Sequence, residues 1–421
     1  MGATETTYAP LIKDHYYETK NTIPDLTLGE DPLLAMLTKK EDAGKTNIFP
    51  VVYGHNQGVS AVFSDAQSGS GSMTSEDWNV TCADLFAVAQ IDGKLIAQTR
   101  SDVNAYVKAV TAEIDSAYKA AARRFSLHLY RSGWGDLGRV TETSGTTITL
   151  ASASGVPRVD WARNFEIGMR IVFAASQSGD ALRDDGDYLT VTGVDEDAGT
   201  LTVDATLANI AGITAYDFIF AKGEREDSAT PARLVTTGLG RWLPTTAPTT
   251  SDSHFGVDRS VHPTRLGGIR VVGTGKQIKE SLREAAVKIA RAGGKPTKAF
   301  IGYDRWNQLE GELRGQTEYH DIEINEAANV GFRAIRINGP KGPVDVVASN
   351  ACPEDAGFML DMDTMGGPIC LSSGRAIGFL DEDDLKMLRQ SGSNGYEVRI
   401  GGYPQLVVPA PGFGATISFS V

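Results

Sequence analysis

Side chains capable of chemistry are present, but their spacing fits no catalytic or metal-binding pattern. The six histidines never form the His-Glu-x-x-His pattern of a zinc protease, and none is near a cysteine. No Gly-x-Ser-x-Gly elbow of a serine hydrolase occurs. Gly275-Lys276 and Gly294-Lys295 lack the other residues of a phosphate-binding loop and are typical of helix boundaries. The sequence therefore predicts no enzyme activity and no cofactor.

Three acidic clusters, at 184–187, 195–197 and 381–384, raise the question of a calcium site. None supplies the alternating ligands, the glycine and the closing glutamate of an EF-hand loop. The first two coincide with predicted hairpin turns, where Asp and Gly are common, and the third is predicted to begin a short helix. Carboxylates at turns recruit hard cations, so adventitious calcium stays an open alternative, while no functional metal is predicted.

The composition is that of a folded protein without a strong attraction to nucleic acid. The 421 residues allow roughly two to four domains, and the hydrophobic share of 41% is ordinary. The net charge of -13 disfavours tight, nonspecific DNA binding. The sequence contains no run of about 18 apolar residues, so no membrane-spanning helix is predicted. Cys82, Cys352 and Cys370 are widely spaced, which argues against disulfides and for a reducing compartment.

The most informative stretch is a long excursion at residues 46–90 that leads into a single helix. Strand-like segments at 47–53, 59–63 and 78–89 surround a Ser/Gly-rich tip at 64–73. A two-stranded arm is marginal alone in water, and its open edges invite pairing with another chain. We therefore expect its partner to be a neighbouring copy of the same protein. The predicted intersubunit contacts are Ile48, Phe49, Val51, Tyr53, Val59, Val62, Phe63, Trp78, Val80, Leu85 and Phe86.

The rest of the chain alternates helical and β-rich patterns. Apolar residues at steps of three and four predict a helix from Ser101 to about Arg131 and another from Lys276 to Ala292. Short β segments with turn residues predict a compact barrel or sandwich at 138–222. The basic residues of the first helix are interpreted as a solvated or interface-facing side, with a DNA-contacting face as the alternative. From 298 onward, mixed strands and a helix at 303–313 are predicted, in addition to the short helix at the acidic cluster 381–384.

This order of elements resembles the major capsid protein of tailed bacteriophages, whose fold is shared with encapsulins. The resemblance covers about the whole chain and rests on the ordered set of motifs: the extended loop, the return motif at 86–96, the long helix, Gly133-Trp134-Gly135, 256–260, 298–309 and the Gly-rich closing strands. It implies an α+β fold with an N-terminal arm, an extended β-hairpin loop, a long spine helix, an axial α/β domain and an inserted β-rich domain.

The resemblance divides the chain into seven segments. They are an N-terminal arm (1–45), the extended loop (46–90), a peripheral domain with the spine helix (91–137), the inserted barrel-like domain (138–222), a peripheral connector with the second helix (223–294), the axial domain (295–392) and the C-terminal strands (393–421). The N-terminal arm is also expected to reach neighbouring subunits. Because no long helical segment precedes it, proteolytic removal of a scaffold segment is not expected.

The resemblance implies a structural protein of the virion. Such a chain assembles in the host bacterial cytoplasm into pentamers and hexamers of an icosahedral head. The implied partners are other copies, a portal, scaffolding or decoration proteins, and packaged double-stranded DNA bound without sequence specificity. Some members weld subunits through a lysine on the extended loop, but no lysine lies between Thr46 and Gly93. The alternatives are an encapsulin-like compartment with protein cargo, and a hydrolase or sugar-binding protein that uses 138–222 as its binding module.

Overall fold

The computed structural model describes residues 31–41, 44, 46–92, 103–250, 252–313, 319–325, 328–363, 367–373, 377–380, 388–390 and 394–420. The predictions for residues 1–30, for the start of the first long helix at Ser101 and for the acidic cluster at 381–384 lie outside this part. The chain forms two compact units. The first contains the described residues up to Ser126 and from Trp242 onward, and the second is Leu127–Arg241.

The helices of the described residues are few and differ greatly in length. They are α1 (Pro32–Met36), α2 (Phe63–Ser68), α3 (Val103–Tyr130), α4 (Leu239–Trp242), α5 (Pro263–Gly267), α6 (Ile278–Ala292) and α7 (Tyr303–Glu312). Short 3-10 turns lie at Val159–Asn164, Arg183–Gly186, Leu207–Asn209 and Pro411–Phe413.

The strands occur along the whole described chain. Those before Trp242 are β1 (Thr38–Glu41), β2 (Asn47–Gly54), β3 (Thr74–Val80), β4 (Leu85–Asp92), β5 (Asp136–Arg139), β6 (Thr147–Thr149), β7 (Arg170–Ala174), β8 (Leu189–Asp195), β9 (Thr200–Val203) and β10 (Phe218–Ala221). Those after it are β11 (Ser253–His254), β12 (Val257–Asp258), β13 (Ile269–Val272), β14 (Lys298–Ile301), β15 (Tyr319–Asn325), β16 (Ala328–Gly339), β17 (Gly342–Ala348), β18 (Ala356–Leu360), β19 (Ile369–Ser372), β20 (Gly378–Phe379), β21 (Leu388–Arg389), β22 (Gly395–Gly402), β23 (Pro404–Val407) and β24 (Ala415–Ser418).

A seven-stranded mixed sheet forms the core of the first unit. Its strand order is β13-β24-β18-β14-β17-β16-β15, with parallel pairs β13/β24 and β14/β17. Helix α6 buries Ile278, Leu282 and Ile289 against this sheet, together with Leu309 of α7. The apolar residues of α6 recur at steps of three and four, so they form one continuous face. Gly293 ends α6 in the left-handed conformation at φ 106°, which glycine adopts without steric cost.

Carboxylates complete the N-termini of α6 and α7. Glu312 accepts hydrogen bonds from the backbone N–H groups of Ile278 and Lys279, both at 3.0 Å. Glu354 accepts longer bonds from the N–H groups of Asp304 and Arg305, at 3.4 and 3.3 Å. The first N–H groups of a helix have no partner within the helix, and negative charge is favourable there. Glu312 lies at the end of α7, so its side chain also ties the two helices together.

The long helix α3 is 28 residues, which at about 1.5 Å per residue makes it about 42 Å long. Where its side chains are described, the predicted stripe is inward: Ile114, Ala121 and Phe125 are buried. Ile114 and Tyr118 pack with Ala89 and Ile91 of β4 and with Val398 and Ile400 of β22. The first unit is completed by the smaller sheets β1-β19-β23 and β20-β22-β21, and β4 pairs with β22.

The second unit is an antiparallel sheet in the order β5-β10-β7-β8-β9-β6. Its core contains aliphatic and aromatic side chains from every strand, including Leu137, Ile148, Phe173, Val191, Leu201 and Ile219. The residues predicted as an inserted β-rich domain, 138–222, lie within this unit. The predicted turn at 195–199 joins β8 to β9, and Asp195 accepts hydrogen bonds from the backbone of Asp197 and Ala198.

The α+β fold class is confirmed, with the hairpin, the long helix, the β-rich segment and the mixed sheet in the predicted order. Two details of the extended loop differ from the prediction. Residues 59–63 do not continue the first strand: β2 ends at Gly54, and a short helix, α2, begins at Phe63. The predicted return strand at 78–89 is divided between two sheets, since β3 pairs with β2 and β4 pairs with β22.

Candidate intersubunit surface

The predicted arm is a two-stranded antiparallel hairpin of β2 and β3. The register pairs Asn47 with Val80 at its base and Gly54 with Thr74 at its far end. Within the described part of the chain no third strand joins this sheet. Strand edges without partners readily accept another chain, so the hairpin is suited to intermolecular pairing.

The two faces of the hairpin differ in exposure. Phe49, Val51 and Tyr53 are partly buried on one face. Ile48, on the other face, is 63% exposed. Successive side chains of a strand point to opposite faces, which produces this alternation. One face therefore packs on its own chain, and the other presents aliphatic side chains to solvent.

The base of the hairpin is part of the core of the first unit. Trp78 is fully buried, and its ring lies edge-on to Trp242 with 5.1 Å between centroids. Trp242 donates its indole N–H to the carbonyl oxygen of Leu406 at 2.9 Å, which fixes the ring that Trp78 packs against. His254 contacts both indoles, at 5.9 Å from Trp78 and 4.4 Å from Trp242. This aromatic cluster holds the base of β3 in place.

Two backbone contacts further fix the direction of the hairpin. The N–H of Asn79 donates to the carbonyl oxygen of Phe255 at 2.9 Å. The guanidinium of Arg265, on α5, donates to the carbonyl oxygen of Tyr53 near the far end of β2. Both strands are thus attached to the same region of the first unit, and a hairpin that would be marginal alone becomes a defined element.

The tip of the hairpin is ordered by one side chain. The amide oxygen of Asn56 accepts hydrogen bonds from the N–H of Gly58 at 2.8 Å and from the N–H of Gly71 at 3.0 Å. These bonds join the two sides of the loop that contains α2. We call residues 55–73 the hairpin tip. The sequence prediction missed Asn56, although Asn two residues before Gly is a recognisable turn signal.

The hairpin tip concentrates exposed apolar side chains. Val59 is 88% exposed, Phe63 81% and Val62 53%. Met73 is also exposed and was not predicted as a contact. Single exposed apolar residues are normal on protein surfaces, but a group on an ordered element marks an interaction site.

Strand β4 contributes a second, smaller apolar surface. Its alternate residues Ala87, Ala89 and Ile91 face the core beneath α3. Phe86 points the other way and is 56% exposed, with its ring edge-on to Tyr403 at 6.0 Å. The adjacent Gly401 has no room for a side chain, because an added Cβ would lie 2.6 Å from the backbone oxygen of Leu85 and 2.9 Å from the Phe86 ring. The position of Phe86 is therefore defined although most of its ring is open.

The structure divides the eleven predicted contact residues into three groups. Trp78 and Val80 are fully buried in their own chain, which leaves them no surface to offer to a neighbour. Phe49, Val51, Tyr53 and Leu85 are partly buried. The exposed residues are Ile48, Val59, Val62, Phe63 and Phe86. The exposed group keeps the role of candidate intersubunit contacts.

The described residues contain no cluster of three or more His, Cys, Asp or Glu side chains that could hold a metal ion. The three cysteines are not joined in disulfides, and burial raises the pKa of the Cys370 thiol to about 11, so it stays protonated at neutral pH. No helix in the described part is long and apolar enough to span a membrane.

No protein-family model and no curated protein matches this chain. Solved structures do match. The capsid of cyanophage A-1(L) is 13% identical, with 93% of this chain and 92% of that chain covered and a TM-score of 0.48. The capsid of a native GTA particle is 10% identical, covers 92% and 90%, and has a TM-score of 0.42. The holo-SrpI encapsulin complex from Synechococcus elongatus PCC 7942 is 11% identical, covers 99% and 96%, and has a TM-score of 0.40.

Two of these solved structures are capsids, one of a cyanophage and one of a GTA particle, and the third is an encapsulin complex. The likeness extends over more than nine-tenths of each chain.

Proposed function

We propose that this chain is a major capsid protein that assembles into an icosahedral phage head enclosing double-stranded DNA. One observation carries the proposal: the hairpin of β2 and β3 is fixed at its base by Trp78 and ends in an ordered tip whose apolar side chains lie open. The hairpin therefore has a fixed direction, but the apolar side chains of its tip are not covered by the rest of its own chain. Another copy of the same chain fills it.

The proposed mechanism is geometric. Subunits close into pentamers and hexamers through head-to-tail contacts, and the hairpin of each subunit overlaps a neighbour. Each contact has a small apolar area and open strand edges, so one contact alone is weak. A shell repeats the contact many times, and the sum resists the pressure of the packaged DNA. The role of the protein is structural, and it needs no catalytic residue and no cofactor.

The seven segments predicted from the sequence form part of this proposal. Residues 1–45 and 46–90 act between subunits, and 91–137 and 223–294 form the peripheral domain. Residues 138–222 are the insertion, 295–392 the axial domain and 393–421 the C-terminal strands. The overlap is noncovalent, because the segment from Thr46 to Gly93 has no lysine for an isopeptide bond. We propose a portal, scaffolding or decoration proteins and DNA bound without sequence specificity as partners, and assembly in the cytoplasm of a bacterial host.

Electron microscopy of the expressed protein, alone and with a scaffolding partner, tests the proposal. Closed shells with pentameric and hexameric units are expected. The matched variants are Phe63→Asp at the hairpin tip and Ile167→Asp, which changes a side chain that is 70% exposed in the second unit. Phe63→Asp should abolish shells while leaving the circular dichroism spectrum intact, and Ile167→Asp should leave assembly unchanged. A wild-type chain that stays monomeric under every condition, including in infected cells, refutes the proposal.

The contents of the shell distinguish the capsid from an encapsulin-like compartment. Shells isolated from infected cells should contain nuclease-protected double-stranded DNA of uniform length. Recovery of one enzyme as the protected cargo, with no DNA, would assign the protein to the compartment class instead. The net charge of -13 fits a shell that surrounds DNA without binding it tightly.

A further inference from the structure

The hairpin and β4 carry charge of only one sign. From Thr46 to Asp92 the chain has five acidic residues and neither lysine nor arginine. Asp65 lies on α2 in the hairpin tip, and Glu76 and Asp77 lie on β3. All three side chains are exposed, and none forms an ion pair with another described residue. Carboxylates without partners beside an apolar tip favour a partner surface that is basic and apolar.

A surface of this kind lies on the outer face of α6. Arg283, Val287 and Arg291 follow one another at intervals of four residues and are exposed, with Val287 42% exposed. Residues four apart on a helix are neighbours on its surface. We call these three residues the α6 stripe. Neither arginine forms an ion pair within the described part of the chain.

The two acidic residues of α6 leave the segment around the α6 stripe with a net positive charge. Glu280 is exposed and forms no ion pair with another described residue. Glu284 accepts bonds from the ammonium groups of Lys276 at 2.5 Å and Lys288 at 2.8 Å. These two hydrogen bonds lower its pKa, so Glu284 stays ionised and is shared by two lysines. From Lys276 to Lys295 the chain has six basic and two acidic residues, a net charge of +4.

Other basic side chains are already engaged within the chain. Lys298 and Arg336 both bind the carboxylate of Asp345, at 2.8 and 2.9 Å. In the second unit, Arg183 binds Asp217 at 2.8 Å. Such paired cations have little remaining charge to offer a partner. The α6 stripe instead combines exposed arginines with an exposed aliphatic side chain.

We propose that the hairpin tip of one copy docks on the α6 stripe of a second copy. Phe63 and its apolar neighbours cover Val287, and the hairpin carboxylates face Arg283 and Arg291. The inference rests on the proposed self-assembly and specifies which surface receives the hairpin. Because the charged groups lie at the rim of the contact, they act mainly on the rate of association and on its dependence on salt.

Exchanging the charges tests this docking. One variant reverses the stripe (Arg283→Glu with Arg291→Glu), a second reverses the hairpin (Asp65→Lys, Glu76→Lys and Asp77→Lys), and a third combines both. Assembly is followed by light scattering at low and high salt. At low salt each single reversal should slow assembly by about tenfold or more, and the combination should restore a rate close to that of the wild type.

Arg170→Glu, which reverses an exposed charge in the second unit, is the matched control and should assemble like the wild type. Circular dichroism of each variant verifies that the subunit is folded. A combined variant no faster than the slower single reversal would overturn the docking. Stripe-reversed shells that form at the normal rate but lack DNA would also overturn it, because the stripe would then face nucleic acid. A wild-type chain that never assembles overturns the proposed function as well.

Discussion

Replacing Trp78 with alanine separates packing at the hairpin base from contact between subunits. Trp78 is fully buried, and its ring packs edge-on against Trp242 and His254 at centroid distances of 5.1 and 5.9 Å. Removing a buried tryptophan side chain costs about 3–5 kcal/mol. Each aromatic pair adds about 0.5–1.5 kcal/mol beyond the buried area. We therefore expect Trp78→Ala to lower the free energy of unfolding of one subunit by about 4–5 kcal/mol, at the upper end of that range.

The assay is urea unfolding at protein concentrations at which subunits remain unassembled, monitored by circular dichroism. Ile48→Ala on the exposed face of the same hairpin is the control, and its free energy of unfolding should stay within about 0.5 kcal/mol of the wild type. If Trp78→Ala changed the free energy of unfolding by less than about 1 kcal/mol yet abolished assembly, the side chain would serve the neighbour instead of its own core. That result would refute the placement of Trp78 in the aromatic cluster.

Three further perturbations test the packing of each unit. Burial acts to raise the pKa of Asp345, but its hydrogen bonds to Lys298 and a neighbouring arginine outweigh burial and hold the pKa below the usual 3.8. The ionised Asp345 carboxylate therefore stabilises the folded subunit above pH 3.8, and this stabilisation is lost as the pH falls through the depressed pKa. The free energy of unfolding of Asp345→Asn should consequently depend less on pH in the acid range than that of the wild type. Glu312→Ala leaves two helix N–H groups without acceptors and should cost about 1–2 kcal/mol in urea unfolding, whereas a loss near zero would contradict the capping role. Gly238→Ala would place a Cβ 2.1 Å from a backbone oxygen and should unfold the second unit, whereas Gly71→Ala, with nothing within 4 Å, should leave the thermal midpoint unchanged.

Elements specified by local sequence were predicted well. The apolar period and the paired glycines predicted a helix at Lys276–Ala292, and α6 runs from Ile278 to Ala292. Within the β-rich segment predicted at 138–222, the predicted hairpin turn at 195–197 leads into β9. Neighbouring residues set both boundaries, because Gly293 ends α6 and the turn at 195–199 fixes where β9 begins. Predictions of this kind need no information from distant parts of the chain.

Contacts made across long sequence separations were not predictable. Trp78 was assigned to an intersubunit surface because its partner Trp242 is far away in sequence and no periodicity relates the two residues. The residues of β4 were predicted to continue the return strand of the arm, whereas in the structure β4 pairs with β22, near the end of the chain. The period of two in a strand shows which side chains share a face but not what covers that face. Only the structure separates the covered side chains of the hairpin from the open ones.

The buried base and the exposed tip of the hairpin separate the stability of the subunit from the strength of its contacts with neighbours. The base of the hairpin is held by the aromatic cluster, and its tip by the two hydrogen bonds of Asn56. Changes at the base should alter the folding of each subunit, whereas changes at Phe63 or Val59 should alter assembly alone, since these side chains contact little of their own chain. A free subunit can therefore be stable while its contacts to neighbours stay individually weak. In the proposed shell, weak contacts would dissociate and re-form, so that misplaced subunits are corrected before the many repeated contacts fix them.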